Sequence, residues 1–272
     1  MTSPGVRVGL TLPSFVRDVG ELLAVATAAE VAGLDGVFVY DHLFRLAAGG
    51  GRRPALESTP MMAAVAAETS RIQVGVLVER ATLRPPAVTA LILATVNKLS
   101  GGFVGGIGAG DSESREENES FGLEFGTFED RLDALRDTLR ASRDQGFPVW
   151  AGGRHPAVRE IAAAEADGWN RWGGDAALFM EETAPVYAAA QRPDFECSWG
   201  GLVVMDTSDE AAREKATRLE AGPRTIVGGP HTVADALTEY RDGGAKWVIA
   251  GPVNSRDPAN AALLADVASR IE

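Results

Sequence analysis

His42 is the side chain in this sequence best placed for proton transfer. It follows Asp41 at the point where an apolar run, Val37–Tyr40, gives out. An imidazole titrates near neutral pH and serves as a general acid or base. The same position also suits a loop histidine that caps a backbone carbonyl.

Two glycine-rich stretches carry the next candidates. Gly106-Ile107-Gly108-Ala109-Gly110 superficially matches a dinucleotide fingerprint, but that motif must present a helix N-terminus to a pyrophosphate. Asp111, Glu113, Glu116, Glu117 and Glu119 follow it, offset nearby only by Arg115. Those carboxylates would repel phosphate, so the glycines read instead as positions that let the backbone approach a flat ring closely, with Asp111 at its edge. A plain glycine turn with solvated acids is the competing reading. Gly152-Gly153-Arg154, just before a helical stretch, is a better anion site, because helix N–H groups, the macrodipole and a guanidinium converge there. An ordinary strand-to-helix turn would have the same residues. Glu79-Arg80 marks a fourth polar cluster after an apolar run. Gly228-Gly229-Pro230-His231 resembles the anion site but precedes the helix before the last strand, so it is expected at the opposite end of the fold in a structural role.

All four clusters sit where a short apolar run ends, and such runs alternate with helical periodicity along the whole chain. The expected strands are Val6–Leu12, Gly36–Tyr40, Ile72–Val78, Gly102–Gly108, Phe147–Ala151, Gly168–Trp172, Gly201–Met205 and Lys246–Ala250. The helices between them include Val19–Ala32, ended by Gly33, and one opened by Pro85-Pro86. About eight such units over 272 residues point to a single-domain α/β chain, a closed (β/α)8 TIM barrel with its site at the C-terminal ends of the strands. An open doubly wound sheet is the alternative.

Composition narrows the function. The formal charge of −12, from 38 acidic and 26 basic residues, argues against a nucleic-acid partner. No apolar run approaches the length of a membrane span, and Val6–Leu12 is too short and strand-like for a secretory segment. A lone cysteine, Cys197, cannot form an internal disulfide, so a cytoplasmic location is expected. Three scattered histidines show no zinc-ligand spacing, and no Gly-x-Ser-x-Gly elbow is present. No metal site is therefore expected.

Several segments together resemble the luciferase-like family, which includes monooxygenases dependent on flavin mononucleotide (FMN) and oxidoreductases using the deazaflavin coenzyme F-420. They are Ala29-Glu30-Val31-Ala32-Gly33-Leu34-Asp35-Gly36 leading to Tyr40-Asp41-His42, Thr69–Gly75, Arg84-Pro85-Pro86-Ala87, Leu99-Ser100-Gly101-Gly102, Gly106–Gly110 and Val149–Gly153. The resemblance implies Asp41 and His42 beside a reactive ring and Leu77-Val78 as a bulge backing it, with a cis peptide between them. It also implies Ala109-Gly110-Asp111 along the ring's edge and Gly152-Gly153-Arg154 at the cofactor phosphate. His42 and Asp111 are then the expected proton-transfer groups.

The implied activity is hydride transfer between coenzyme F-420 and a small organic substrate. An FMN-dependent monooxygenase is the alternative, and a non-catalytic flavin-binding barrel a third reading. A homodimer is expected by the same resemblance. The chain departs from the family in carrying Asp111 where several deazaflavin members have Glu. It also connects almost directly through Asp144-Gln145-Gly146 and is shortened between its last two strands. A small lid is the expected consequence, over a substrate that is either larger or only loosely enclosed.

Overall fold

The computed structural model describes residues 5–46, 50–111 and 114–271. In chain order the elements are β1 (Arg7–Thr11), α1 (Val19–Ala32), β2 (Gly36–Val39), the hairpin strands β3 (Phe44–Leu46) and β4 (Arg52–Pro54), α2 (Ser58–Glu68), β5 (Gln73–Arg80), α3 (Pro86–Leu99), β6 (Phe103–Gly108), α4 (Ser114–Ser120) and α5 (Phe128–Ser142). There follow β7 (Val149–Gly152), α6 (Pro156–Glu165), β8 (Gly168–Trp172), α7 (Ala176–Ala189), β9 (Glu196–Met205), α8 (Asp209–Arg218), β10 (Ile226–Gly228), α9 (Pro230–Asp242), β11 (Ala245–Pro252) and α10 (Ala259–Ala268).

The sheet runs β9-β11-β1-β2-β5-β6-β7-β8, and β8 pairs in parallel with β9, from Gly168 opposite Glu196 to Trp172 opposite Gly200. That last pairing closes the barrel and removes the open-sheet alternative. The short strand β10 attaches only to the outer end of β9, with Gly228 opposite Met205.

Local signals set the boundaries. The Asp18 side chain accepts from the Gly20 N–H to start α1, and Gly33, at φ 82° in the left-handed region, ends it as expected. Thr127 and Asp130 form a reciprocal capping box at the start of α5. Inside the barrel, Phe38, Leu77, Val104, Trp150, Trp247 and Ile249 form a separate apolar plug. The Phe38 and Trp247 rings meet edge to face at 5.6 Å. Glycines make room for them, since a Cβ on Gly75 would lie 2.6 Å from Phe38 and one on Gly36 2.9 Å from Trp247. A larger apolar layer, including Leu22, Met62, Leu93 and Leu135, fills the space between strands and helices. Each such side chain, fully buried, contributes about 1.5–3 kcal/mol.

The strand expectations hold in order and approximate place, with three informative differences. β5 continues through Glu79 and Arg80, which pair with Ile107 and Gly108 beyond a register shift between Val76 and Glu79. The apolar pattern stops at Val78 because the last two positions carry charges that are buried and partnered. β9 begins at Glu196, five residues before its apolar stretch; Glu196 pairs with β8, and Cys197-Ser198-Trp199-Gly200 pairs on both sides. Gly228-Gly229 does not face the opposite end of the fold. β10 runs parallel to β9, so the turn leaves at the C-terminal side. There Asp209 accepts from the Gly229 N–H and the Thr232 hydroxyl, a structural tie.

Candidate functional site

The C-terminal ends of β2, β5, β6 and β7 surround a cavity of about 730 Å³, within the usual range for a small-molecule or cofactor site. His42, Asp41, Leu77, Val78, Ala109, Gly110, Asp111, Gly152, Gly153 and Arg154 all line it, so every residue expected there from sequence is brought to one place. The Leu77–Val78 peptide is cis and lies within the register shift of β5. The Val78 side chain wedges between β6 and β7, where a Cβ on either Gly108 or Gly152 would collide with it. These two glycines therefore make room for the bulge, which in turn forms the floor of the cavity. The sequence reading had placed Gly152 at the cofactor phosphate and the glycines of the Gly106–Gly110 stretch against a bound ring.

His42 is half-buried, with 38% of its side chain exposed, and its Nδ1 lies 2.8 Å from Glu117 Oε1. Glu117, on α4, is only 5% exposed and also accepts from the Leu43 N–H at 2.6 Å and from Arg80 Nη2 at 2.9 Å. Burial pushes the Glu117 carboxyl up, but hydrogen bonds from His42 and Leu43 and the charge of Arg80 outweigh it and hold the carboxyl at about 2. A carboxylate ionised at neutral pH thus fixes one ring nitrogen of His42 and leaves Nε2 for chemistry. Sequence reasoning counted Glu117 only as part of an acidic stretch. The available signal was spacing: Ser114, Glu117 and Asn118 are the buried residues of α4, one helical face made of polar side chains. Glu113 of the same stretch lies outside the described residues.

Asp41 has a different place from the one its neighbour suggests. Its carboxylate is buried and receives the Arg80 N–H at 2.9 Å, the Ser58 hydroxyl at 2.8 Å and Arg84 through both terminal nitrogens. Glu79 lies in the same pocket, sharing Ser58 and Arg84. Burial, then repulsion from Asp41, pushes the Glu79 carboxyl well above its ordinary value, with Arg84 opposing. Asp41 therefore ties β2 to β5 and the start of α2 and aims His42 by holding the strand end.

Asp111 is exposed, and its Oδ1 accepts from the Ser114 N–H at 3.0 Å and hydroxyl at 2.9 Å, which starts α4. Gly110, at φ 74°, takes the left-handed turn before it. At the other rim several donors expected for an anion are already engaged. Gly153 N–H donates to the Asn170 carbonyl, Pro156 has no N–H, and the His155 side chain accepts from Ala157. The Arg154 guanidinium and the Arg154 and His155 N–H groups remain.

Arg131 lines the same rim from α5, a residue the sequence reading did not single out. Its signal was position: it falls four residues before Leu135 and eight before Leu139, on the buried stripe of the helix.

A buried guanidinium nitrogen in Arg131 with no hydrogen-bond partner among the described residues, an apolar floor at Val78 and an imidazole at the mouth suit a flat ring that carries an anionic side chain. Among the described residues no group of side chains could hold a metal ion. No helix among them is long and apolar enough to cross a membrane.

A profile described as luciferase-like monooxygenase matches residues 1–224. The chain belongs to the luciferase-like monooxygenase family. Among its relatives, an F-420-dependent glucose-6-phosphate dehydrogenase of Amycolatopsis mediterranei is 37% identical over 243 residues, covering 82% of this chain and 66% of that protein. A protein of the same description from Tsukamurella paurometabola is 34% identical over 177 residues, 64% of this chain and 48% of its own length. These matches span between about half and two thirds of the relatives. In fold, this luciferase-like chain superposes on an F-420-dependent secondary alcohol dehydrogenase in complex with an F-420-acetone adduct, at a TM-score of 0.83 and 15% identity, over 99% of this chain and 100% of the other.

Proposed function

We propose that this luciferase-like barrel is a coenzyme F-420-dependent oxidoreductase that moves a hydride between the deazaflavin and a small organic substrate. The observation that carries the reading is His42, aimed at the cavity by an ionised Glu117 that occupies its other ring nitrogen. Relatives named as F-420-dependent dehydrogenases support the cofactor. When bound, the deazaflavin supplies a two-electron hydride carrier. His42 Nε2 gives or takes the proton that accompanies the hydride, because a carbinol oxygen must lose or gain one as its carbon changes oxidation state. Glu117 stabilises the imidazolium formed when Nε2 holds that proton. Val78 and Leu77 back the ring, and Arg154 faces its anionic end. The enzyme works as a cytoplasmic homodimer in this reading, with the exposed apolar residues Val88, Leu91 and Leu99 of α3 as the contact face.

Titration of the purified protein with F-420 and with FMN tests the proposal. Tighter binding of F-420, with turnover of reduced or oxidised cofactor independent of oxygen, is expected. Equal or stronger FMN binding with oxygen consumption would overturn it in favour of a monooxygenase. Binding of either cofactor without any turnover would leave a non-catalytic barrel.

A further inference from the structure

We propose that the substrate is a neutral alcohol, or the corresponding carbonyl compound, whose aromatic group stacks on a wall formed by Tyr40 and Trp172 beside His42. The inference rests on the functional reading above for the hydride chemistry, and on the following geometry for the wall.

The cavity has two unlike sides. Towards β6 and β7 lie Val78, the glycine turns and the rim guanidiniums of Arg131 and Arg154, the side given above to the cofactor. On the other side Phe15, His42, Tyr40 and Trp172 follow one another, with neighbouring ring centres 6.0, 6.4 and 5.7 Å apart. All four are half-buried, and the last three line the cavity. Trp172 reaches over the mouth because β9 and β11 carry glycines against it. A Cβ on Gly200 would lie 2.6 Å from the indole and one on Gly251 2.9 Å. Leu202, two residues beyond Gly200 and so on the same face of β9, is 43% exposed and extends the apolar wall.

Charge narrows the class. Among the described residues no lysine lines the cavity, and of its three arginines Arg80 is buried against Glu117 while Arg131 and Arg154 lie on the cofactor side. Burial pushes the Tyr40 hydroxyl above its ordinary range, with Thr11 and the charge of Arg45 opposing, so Tyr40 stays neutral. Arg256, beside Phe15, is engaged by the Phe15 carbonyl and by Glu21. A phosphorylated substrate needs charge-assisted donors that this wall lacks, and a sugar would lose water from hydroxyls that find few partners there. A flat apolar group instead gains from burial and from contact with the rings. That sets this chain apart from the relatives named for glucose 6-phosphate. In oxidation the hydroxyl proton goes to His42 Nε2 as the carbinol carbon gives its hydride to the oxidised cofactor, leaving the carbonyl compound; reduction reverses both transfers.

Turnover with F-420 is measured for wild type, Trp172→Ala, Trp172→Phe and Leu202→Lys. Wild type is expected to have a kcat/KM for 1-phenylethanol at least about tenfold above those for 2-propanol and glucose 6-phosphate. Trp172→Ala should lower the preference over 2-propanol about tenfold, mainly through KM, and Trp172→Phe should restore most of it. Leu202→Lys, at an exposed position, should lower the preference over glucose 6-phosphate. Calorimetric titration with acetophenone, on protein loaded with F-420 or FMN, reads the wall without turnover. Glucose 6-phosphate as the better substrate, or preferences unchanged in both Trp172→Ala and Leu202→Lys, would overturn the substrate class and leave hydride transfer by F-420 standing. Acetophenone binding that weakens about tenfold in Trp172→Ala, without turnover of F-420, would keep the wall and remove the F-420 reading. Wild type that binds no acetophenone would overturn the wall itself.

Discussion

At the scale of single residues, the division of labour between Asp41, His42 and Glu117 governs what should happen when each is changed. His42→Ala should lower the chemical step by about 10²–10⁴-fold while cofactor affinity stays within about threefold, as read by single-turnover kinetics at saturating cofactor. A variant that binds poorly but transfers hydride normally once saturated would make His42 a binding residue and leave proton transfer to Asp111. Glu117→Gln tests the other half of the pair through pH. The carboxyl sits at about 2 in the folded protein against an ordinary 4.5. A depressed carboxyl contributes stability that is present above its unfolded value and drains away as pH falls toward its folded one. Wild type should therefore lose melting temperature between about pH 4.5 and pH 2 more steeply than Glu117→Gln. Parallel profiles would mean that Glu117 carries no such stabilisation.

At the scale of elements, the floor of the cavity depends on three strand ends that interlock through one side chain. Val78 lies where Cβ atoms on Gly108 and Gly152 would fall, so neither neighbouring strand can bear a side chain there without shifting the bulge. Gly152→Ala should cost about 1–3 kcal/mol in urea unfolding, the range for an overpacked core, and should weaken cofactor binding as the floor moves. Gly222→Ala, where a Cβ meets nothing within 4 Å, serves as the control with little change in either. Unaltered stability and binding in Gly152→Ala would show that β5 relaxes freely, contrary to its pairing with β6 on both sides of the shift.

At the scale of the molecule, closure of the barrel leaves apolar side chains on the outside of α3. Leu91 is 68% exposed, with Val88 and Leu99 exposed on the same helix. If a second copy covers them, sedimentation velocity should give a dimer for wild type and a monomer for Leu91→Glu, with unchanged circular dichroism. A monomeric wild type would end the dimer reading.

What the sequence by itself determined was the alternation of strands and helices, and with it the barrel and the residues at its C-terminal rim. Both follow from local periodicity and from the rule that strand-to-helix loops collect at one end. Asp41-His42, Ala109–Asp111 and Gly152–Arg154 could be named because each ends an apolar run. The partners of these residues could not. Glu117 lies 75 positions from His42, Arg84 lies 43 from Asp41, and Val78 meets two glycines on different strands. Charged residues such as Glu79 and Arg80 interrupt the apolar pattern that marks a strand, although burial with a partner lets the strand run on through them. Only the closed tertiary structure decided which loops meet. It also decided which carboxylates face a cation, and that Arg131, on the cavity rim, has a buried Nε with no hydrogen-bond partner among the described residues.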